Sequence, residues 1–100
     1  MKLFIDTSNS EKIVVGLDDE RFTADAREEK AQMLLAFIDE VLKKKNRKIK
    51  DITEIEVNTG PGSFTGLRVG LSVANTIGWV LGIPVNGKDI KKDGPVLPQY

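Results

Sequence analysis

The sequence contains no cysteine and no histidine. These two absences exclude disulfides, thiol nucleophiles, Cys/His zinc sites, Ser-His-Asp triads and imidazole general bases. Chemistry is left to carboxylates, lysines, hydroxyls and backbone amides. An excess of charge of either sign is also lacking: 15 Lys plus Arg balance 15 Asp plus Glu. No global field therefore draws the chain to nucleic acid or to an acidic membrane surface. A nucleic-acid role would have to come from a local patch or through a partner. The opening Met1-Lys2-Leu3-Phe4-Ile5-Asp6 meets a carboxylate at once and has no secretory apolar region. A cytoplasmic setting is the expectation. Residues 69–87 carry no charge, but Ser72, Asn75 and Thr76 lie at their centre and Pro84 near their end. A spanning helix needs about 20 mostly apolar residues, so this stretch reads as a buried helix followed by a short strand.

With 100 residues, 40% hydrophobic and 30% charged, the composition suits one globular domain with a modest core, to which partner surfaces can contribute. Lys2–Asp6 reads as a strand ending in the polar turn Asp6-Thr7-Ser8-Asn9-Ser10. Lys12–Leu17 is β-branched and makes a second strand, Asp18-Asp19-Glu20 a turn, and the alternating Arg21–Ala26 a third strand. From Glu28 to about Lys45, Ala31, Leu34, Leu35, Ile38, Val41 and Leu42 recur at helical spacing, with Met33 and Phe37 widening the stripe. Glu28-Glu29 at the start and Lys43-Lys44-Lys45 at the end suit the helix dipole. A fourth strand is expected at Glu54–Asn58. A second helix runs from about Thr65 to Leu81, capped by Ser63 and Gly82 and apolar nearly all round. Ile83-Pro84-Val85 is expected as a fifth strand, and residues 88–100 as a tail or linker stub. The order β-β-β-α-β-α-β defines an α/β fold with a mixed five-stranded sheet.

Between the fourth strand and the second helix lies Gly60-Pro61-Gly62-Ser63-Phe64-Thr65-Gly66-Leu67-Arg68-Val69-Gly70. A glycine-rich loop at a helix N-terminus can cradle phosphate. The spacing departs from a P-loop, because Leu67 rather than Lys follows Gly66, and Thr65 stands where a dinucleotide motif needs its last glycine. A strand-to-helix turn needing positive φ explains the same glycines.

As a specific string, this segment resembles the signature of the TsaB (YeaZ) family. Phe4-Ile5-Asp6-Thr7-Ser8, Val14-Val15-Gly16-Leu17 and Asp51-Ile52-Thr53-Glu54-Ile55 agree with that family in order, so the resemblance covers about residues 3–87. It implies an actin/Hsp70-like (RNase H-like) domain over residues 1–87. It also implies a role in forming threonylcarbamoyladenosine on tRNA: a homodimer alone, a heterodimer with the catalytic subunit TsaD, an ATPase subunit TsaE completing the set, and tRNA contacted indirectly. Metal and nucleotide belong to TsaD in that scheme, so no cofactor, metal or catalytic residue is expected here. Family members commonly carry a histidine where this chain has Arg27-Glu28-Glu29-Lys30, and a second domain of similar fold after the first.

A pairing surface is expected on the second helix, where Gly66, Gly70, Ala74 and Gly78 fall at four-residue intervals and Val73, Ile77 and Leu81 border them. Leu34, Phe37 and Ile38 of the first helix would complete a bundle with a second subunit. The same small stripe could instead pack on the chain's own sheet. The rival reading is an enzyme, a nucleotide-binding ATPase or phosphotransferase. It would use Asp6, Thr7, Gly62, Ser63, Thr65 and Arg68 around the Gly60–Gly66 loop, with Asp6 holding a metal ion. Against that, Asp6 could simply close an Asx-turn. The run Lys43–Lys50 could touch tRNA phosphates or be a solvated helix end. A stand-alone peptidase lacks a nucleophile–base pair.

Overall fold

Alternation decides the first three strands. The computed structural model describes residues 1–26 and 30–99, and in it β1 (Lys2–Asp6), β2 (Lys12–Leu17) and β3 (Glu20–Asp25) form an antiparallel meander. Leu3 and Ile5 point to the same face as Ile13, Val15 and Leu17, and all five are buried. Asp18, with φ 53°, turns β2 into β3. The third strand starts one residue earlier than expected because Leu17 pairs with Glu20 across a two-residue turn.

Helix α1 (Lys30–Lys44) buries Leu34, Ile38, Val41 and Leu42. The expected start at Glu28, with its acidic pair, lies outside the described residues. A 3₁₀ turn (Ile49–Asp51) then leads into β4 (Glu54–Val57), which pairs parallel with β1 through Leu3–Ile55 and Ile5–Val57. Helix α2 (Phe64–Leu81) follows. Ser63 caps it by accepting from the Gly66 N–H, and Gly82 closes it in the left-handed region at φ 66°. Both helices lie on the face carrying Leu3, Ile5, Val15, Ile55 and Val57, and the core fills the space between the layers. No helix among the described residues is long and apolar enough to cross a membrane.

Among the described residues the sheet has four strands, ordered β3-β2-β1-β4, and not the five expected. At Ile83-Pro84-Val85 only Val85 forms a bridge, to Ile55. The reason is local. Pro84 has no N–H, and the Ile83 N–H is spent on the Gly78 carbonyl at the end of α2. Asn86 and Gly87 then take positive φ and reverse the chain, so that Val85 pairs with Lys88. Asn86 extends the contact in place of a strand: its side chain accepts from the Val57 N–H (2.8 Å) and donates to the Val57 carbonyl (3.0 Å).

Residues 88–99, expected as a tail, carry a short helix, α3 (Ile90–Asp93), whose Ile90 is buried. Beyond it, the Asn75 side chain pairs both ways with the Val96 backbone at 2.9 Å. The Gln99 N–H reaches the Thr59 carbonyl at 2.7 Å.

Candidate functional site

Strands β1 and β4 run parallel, so their carboxyl ends open to one side, where open α/β sheets place ligand crevices. Here that side holds a closed hydrogen-bond system. Asp6 Oδ1 accepts from the Ser8 N–H (2.9 Å) and the Ser8 hydroxyl (2.6 Å), an Asx-turn. Ser8 Oγ accepts from Asn58 Nδ2 (3.3 Å), and Asn58 Oδ1 accepts from the Gly60 N–H (3.0 Å). The Ser63 N–H donates to the Ser8 carbonyl at 2.7 Å. Gly62 lies against Ser8 so closely that a Cβ on it would stand 2.5 Å from Ser8 Cβ.

Of the residues expected to contact an anion, Asp6, Thr7, Gly62 and Ser63 meet at this junction. Thr65 and Arg68 do not join them. Both are exposed on α2, with the Arg68 guanidinium 5.2 Å from the Phe64 ring centre. Sequence reasoning missed Asn58, which bears on the junction only because β4 ends beside Asp6. It also missed the placement of Lys30, whose Nζ donates to the Asn9 carbonyl at 2.6 Å beside Gly66. Burial lowers the Lys30 pKa below the ordinary lysine value. Among the described residues no group of three or more His, Cys, Asp or Glu is placed to hold a metal ion.

Thr7 explains the glycines of α2. It is buried, its hydroxyl donates to the Gly66 carbonyl, and it accepts from the Gly70 N–H at 3.0 Å. Those are the two groups an α-helix pairs i to i−4, so the hydroxyl enters the helix ladder itself. A Cβ on Gly70 would lie 2.3 Å from Thr7 Oγ1, one on Gly66 2.2 Å from the Thr7 carbonyl oxygen, and one on Gly78 2.4 Å from Val85 Cγ2. The stripe Gly66, Gly70, Ala74 and Gly78 is therefore filled by the chain's own sheet and the Val85 segment. This corrects the expectation that a neighbouring helix enters it. Leu34, Ile38, Val73 and Ile77 are buried with it in the core, and Phe37 and Leu81 are half-buried against the core.

The apolar residues left outside differ from those expected at an interface. Leu35 is 53% exposed, Phe64 55%, Trp79 54% and Val80 70%. A groove between α1 and α2 is lined by Ala31, Phe64, Thr65, Arg68, Val69, Ser72 and Val73. The basic run is partly spent locally. Lys43 pairs with Asp39 at 3.0 Å and Lys45 with Glu20 at 2.7 Å, while Lys44 and Lys45 lie over the Phe22 ring.

The antiparallel meander with a parallel crossover strand and two helices on one face defines an actin/RNase H-like α/β fold. YeaZ from Pseudomonas aeruginosa shares it with a TM-score of 0.70 at 24% identity, over 84% of this chain and 41% of that one. The family model described as "TsaD: tRNA N6-adenosine threonylcarbamoyltransferase" matches residues 24–87, and the chain belongs to that family. Within it, the chain is of the TsaB (YeaZ) type. It is 46% identical over 37 residues to the tRNA threonylcarbamoyladenosine biosynthesis protein TsaB of Bacillus subtilis (strain 168), covering 37% of this chain and 16% of that protein. With the TsaB of Buchnera aphidicola subsp. Baizongia pistaciae it shares 43% over 51 residues, 51% of this chain and 23% of that protein. The chain thus matches less than a quarter of the length of these curated relatives.

Proposed function

We propose that this chain serves threonylcarbamoyladenosine formation on tRNA as a non-catalytic partner subunit. In this reading it seats a TsaD-type catalytic subunit on the outer face of its helix layer and pairs with itself through that face when alone. A TsaE-type ATPase joins through the complex, and tRNA is contacted indirectly. The observation that carries the reading is the apolar α1–α2 groove, at whose mouth Phe64 is more than half exposed. Ala31, Phe64, Val69 and Val73 line it together, and exposed apolar surface of this kind marks interaction sites. The junction at Asp6 supports it from the other side. There, Asp6, Ser8, Asn58 and Ser63 bind one another and Gly62 lies against Ser8, so the loop acts as a brace between sheet and helix.

Phe64→Asp tests the reading. It removes the exposed ring and puts a carboxylate in the first turn of α2, where the dipole tolerates it. The native chain is expected to co-elute with a TsaD-type subunit. Phe64→Asp is expected to elute separately with an unchanged unfolding midpoint. Separate elution of the native chain at every concentration tried would sink the proposal.

A further inference from the structure

Strand β3 is the free edge of the sheet, and among the described residues no other strand lies beyond it. The Ala26 N–H donates to the Glu11 carbonyl (2.8 Å), and Leu17 stands opposite Glu20 at the turn. Bonded and non-bonded pairs alternate along an antiparallel ladder. Glu20, Phe22 and Ala24 therefore turn their backbone N–H and C=O groups toward β2, while Arg21, Thr23 and Asp25 turn theirs outward. All three outward residues are exposed. The edge is regular: each residue from Glu20 to Asp25 faces its own partner on β2 with no bulge, and the strand holds no proline, glycine or lysine. Native edges are commonly blunted by such devices, and an edge without them is a template for another strand.

We infer that β3 adds antiparallel to β3 of a second copy, about a two-fold axis through Thr23, and joins the two sheets into one. Strand addition of this kind takes affinity from the main chain and specificity from alternate side chains. In this register Thr23 stands opposite Thr23 of the second copy, and Arg21 opposite its Asp25, each pair exchanging both N–H···O bonds. Phe22 stands opposite Ala24 on the helix side, a large residue against a small one. The charges on the strand select this register, because like charges directly opposite destabilise a sheet. An axis through Arg21 sets arginine on arginine, and an axis through Asp25 sets carboxylate on carboxylate. An axis through Phe22 brings Asp25 opposite Asp19, and one through Ala24 carries Arg21 past the end of the opposing strand. The Arg21 guanidinium lies over the Phe4 ring, 3.7 Å from its centre, so the side chain rests on the sheet and leaves the edge clear. Gly16 makes room for it there, since a Cβ on Gly16 would stand 2.4 Å from an Arg21 guanidinium nitrogen. The edge uses none of the helix-layer residues proposed above for subunit pairing. A second self-complementary contact on one chain builds assemblies larger than a pair.

Amide hydrogen exchange of the full chain, read by NMR in dilute and concentrated solution, tests the inference. The N–H groups of Arg21, Thr23 and Asp25 are expected to exchange more slowly as concentration rises, while those of Phe22 and Ala24, already bonded to β2, respond least. A pair formed through the helix layer would not protect the outward set. Ultracentrifugation of Phe64→Asp, which removes the helix-layer contact, should still show a reversible dimer, and Thr23→Lys in that background should abolish it by setting two ammonium groups on the axis. Charge exchange reads the register. Arg21→Asp alone and Asp25→Arg alone should each stay single, whereas a mixture of the two should pair, because each then meets its opposite. Concentration-independent exchange of the three outward amides, a dimer that survives Thr23→Lys, or charge variants that associate no better mixed than alone would each overturn the inference.

Discussion

Replacing Gly70 by alanine sets helix propensity against packing, and the structure says which prevails. In an exposed helix, Gly→Ala stabilises by about 1 kcal/mol. At Gly70 the new Cβ would stand 2.3 Å from Thr7 Oγ1, and the remaining neighbours, Ile5 Cγ2 and Thr7 Cβ, would be at 3.4 Å. The hydroxyl must move, although it bonds both the Gly66 carbonyl and the Gly70 N–H. Overpacking of a filled core, including the disturbed hydrogen bonds of that hydroxyl, costs about 3 kcal/mol. Against a propensity gain of about 1 kcal/mol, the net expectation is a loss of about 2 kcal/mol. For a domain of this size that lowers the thermal midpoint by roughly 10 °C.

The source of the loss can be isolated. In a Thr7→Ala background the obstructing hydroxyl is gone, and Gly66 and Gly70 can pair directly as any helix does. Gly70→Ala should then cost little, giving a coupling of about 1–2 kcal/mol in a double-mutant cycle. Urea unfolding followed by circular dichroism reads all four variants. A Gly70→Ala chain as stable as the native one, or a cost unchanged by Thr7→Ala, would refute the account of the glycine stripe.

Asn86→Ala leaves the Val57 N–H and carbonyl without their partner and puts alanine at φ 51°, so it should cost about 2 kcal/mol and speed Val57 amide exchange most among the β4 amides. Calorimetry with ATP and magnesium should give no binding heat. Asp6→Ala should lower stability by about 1 kcal/mol through the lost Asx-turn, whereas tight nucleotide binding abolished by Asp6→Ala would restore the enzyme reading.

Local chemistry was legible where the chain obeys it. Lys2–Asp6 and Lys12–Leu17 have the expected bounds, and Ser63 and Gly82 cap α2 as their residue types suggest. The fifth strand failed because an apolar run around Pro84 looks like a strand start, while the Asn86-Gly87 pair behind it is a hairpin signal that went unused. Residues 88–99 show no periodicity, since what holds them is one amide side chain, Asn75, gripping one backbone residue, Val96. Contacts between residues 21 apart leave no trace in a local pattern. The junction was half legible. Asp6 and Ser63 could be named from their places beside a turn and a helix start, but Asn58 enters only through the parallel register of β1 and β4.

The glycine stripe shows what small residues can and cannot say. Their spacing establishes that something approaches α2 closely on that side; it does not say whether the visitor is another helix or the chain's own sheet. Thr7 decides it, because a hydroxyl bonded inside the helix ladder leaves no room for a second guest. Yet α2 is apolar on more than its notched side. Seating that side on the sheet fixes which surfaces are turned away, and Phe64, Trp79 and Val80 remain more than half exposed on them. A helix apolar nearly all round needs cover on most sides. The closeness of α2 to its own sheet thus strengthens the case for a partner and moves the expected contact from the glycines to the large residues they leave facing outward.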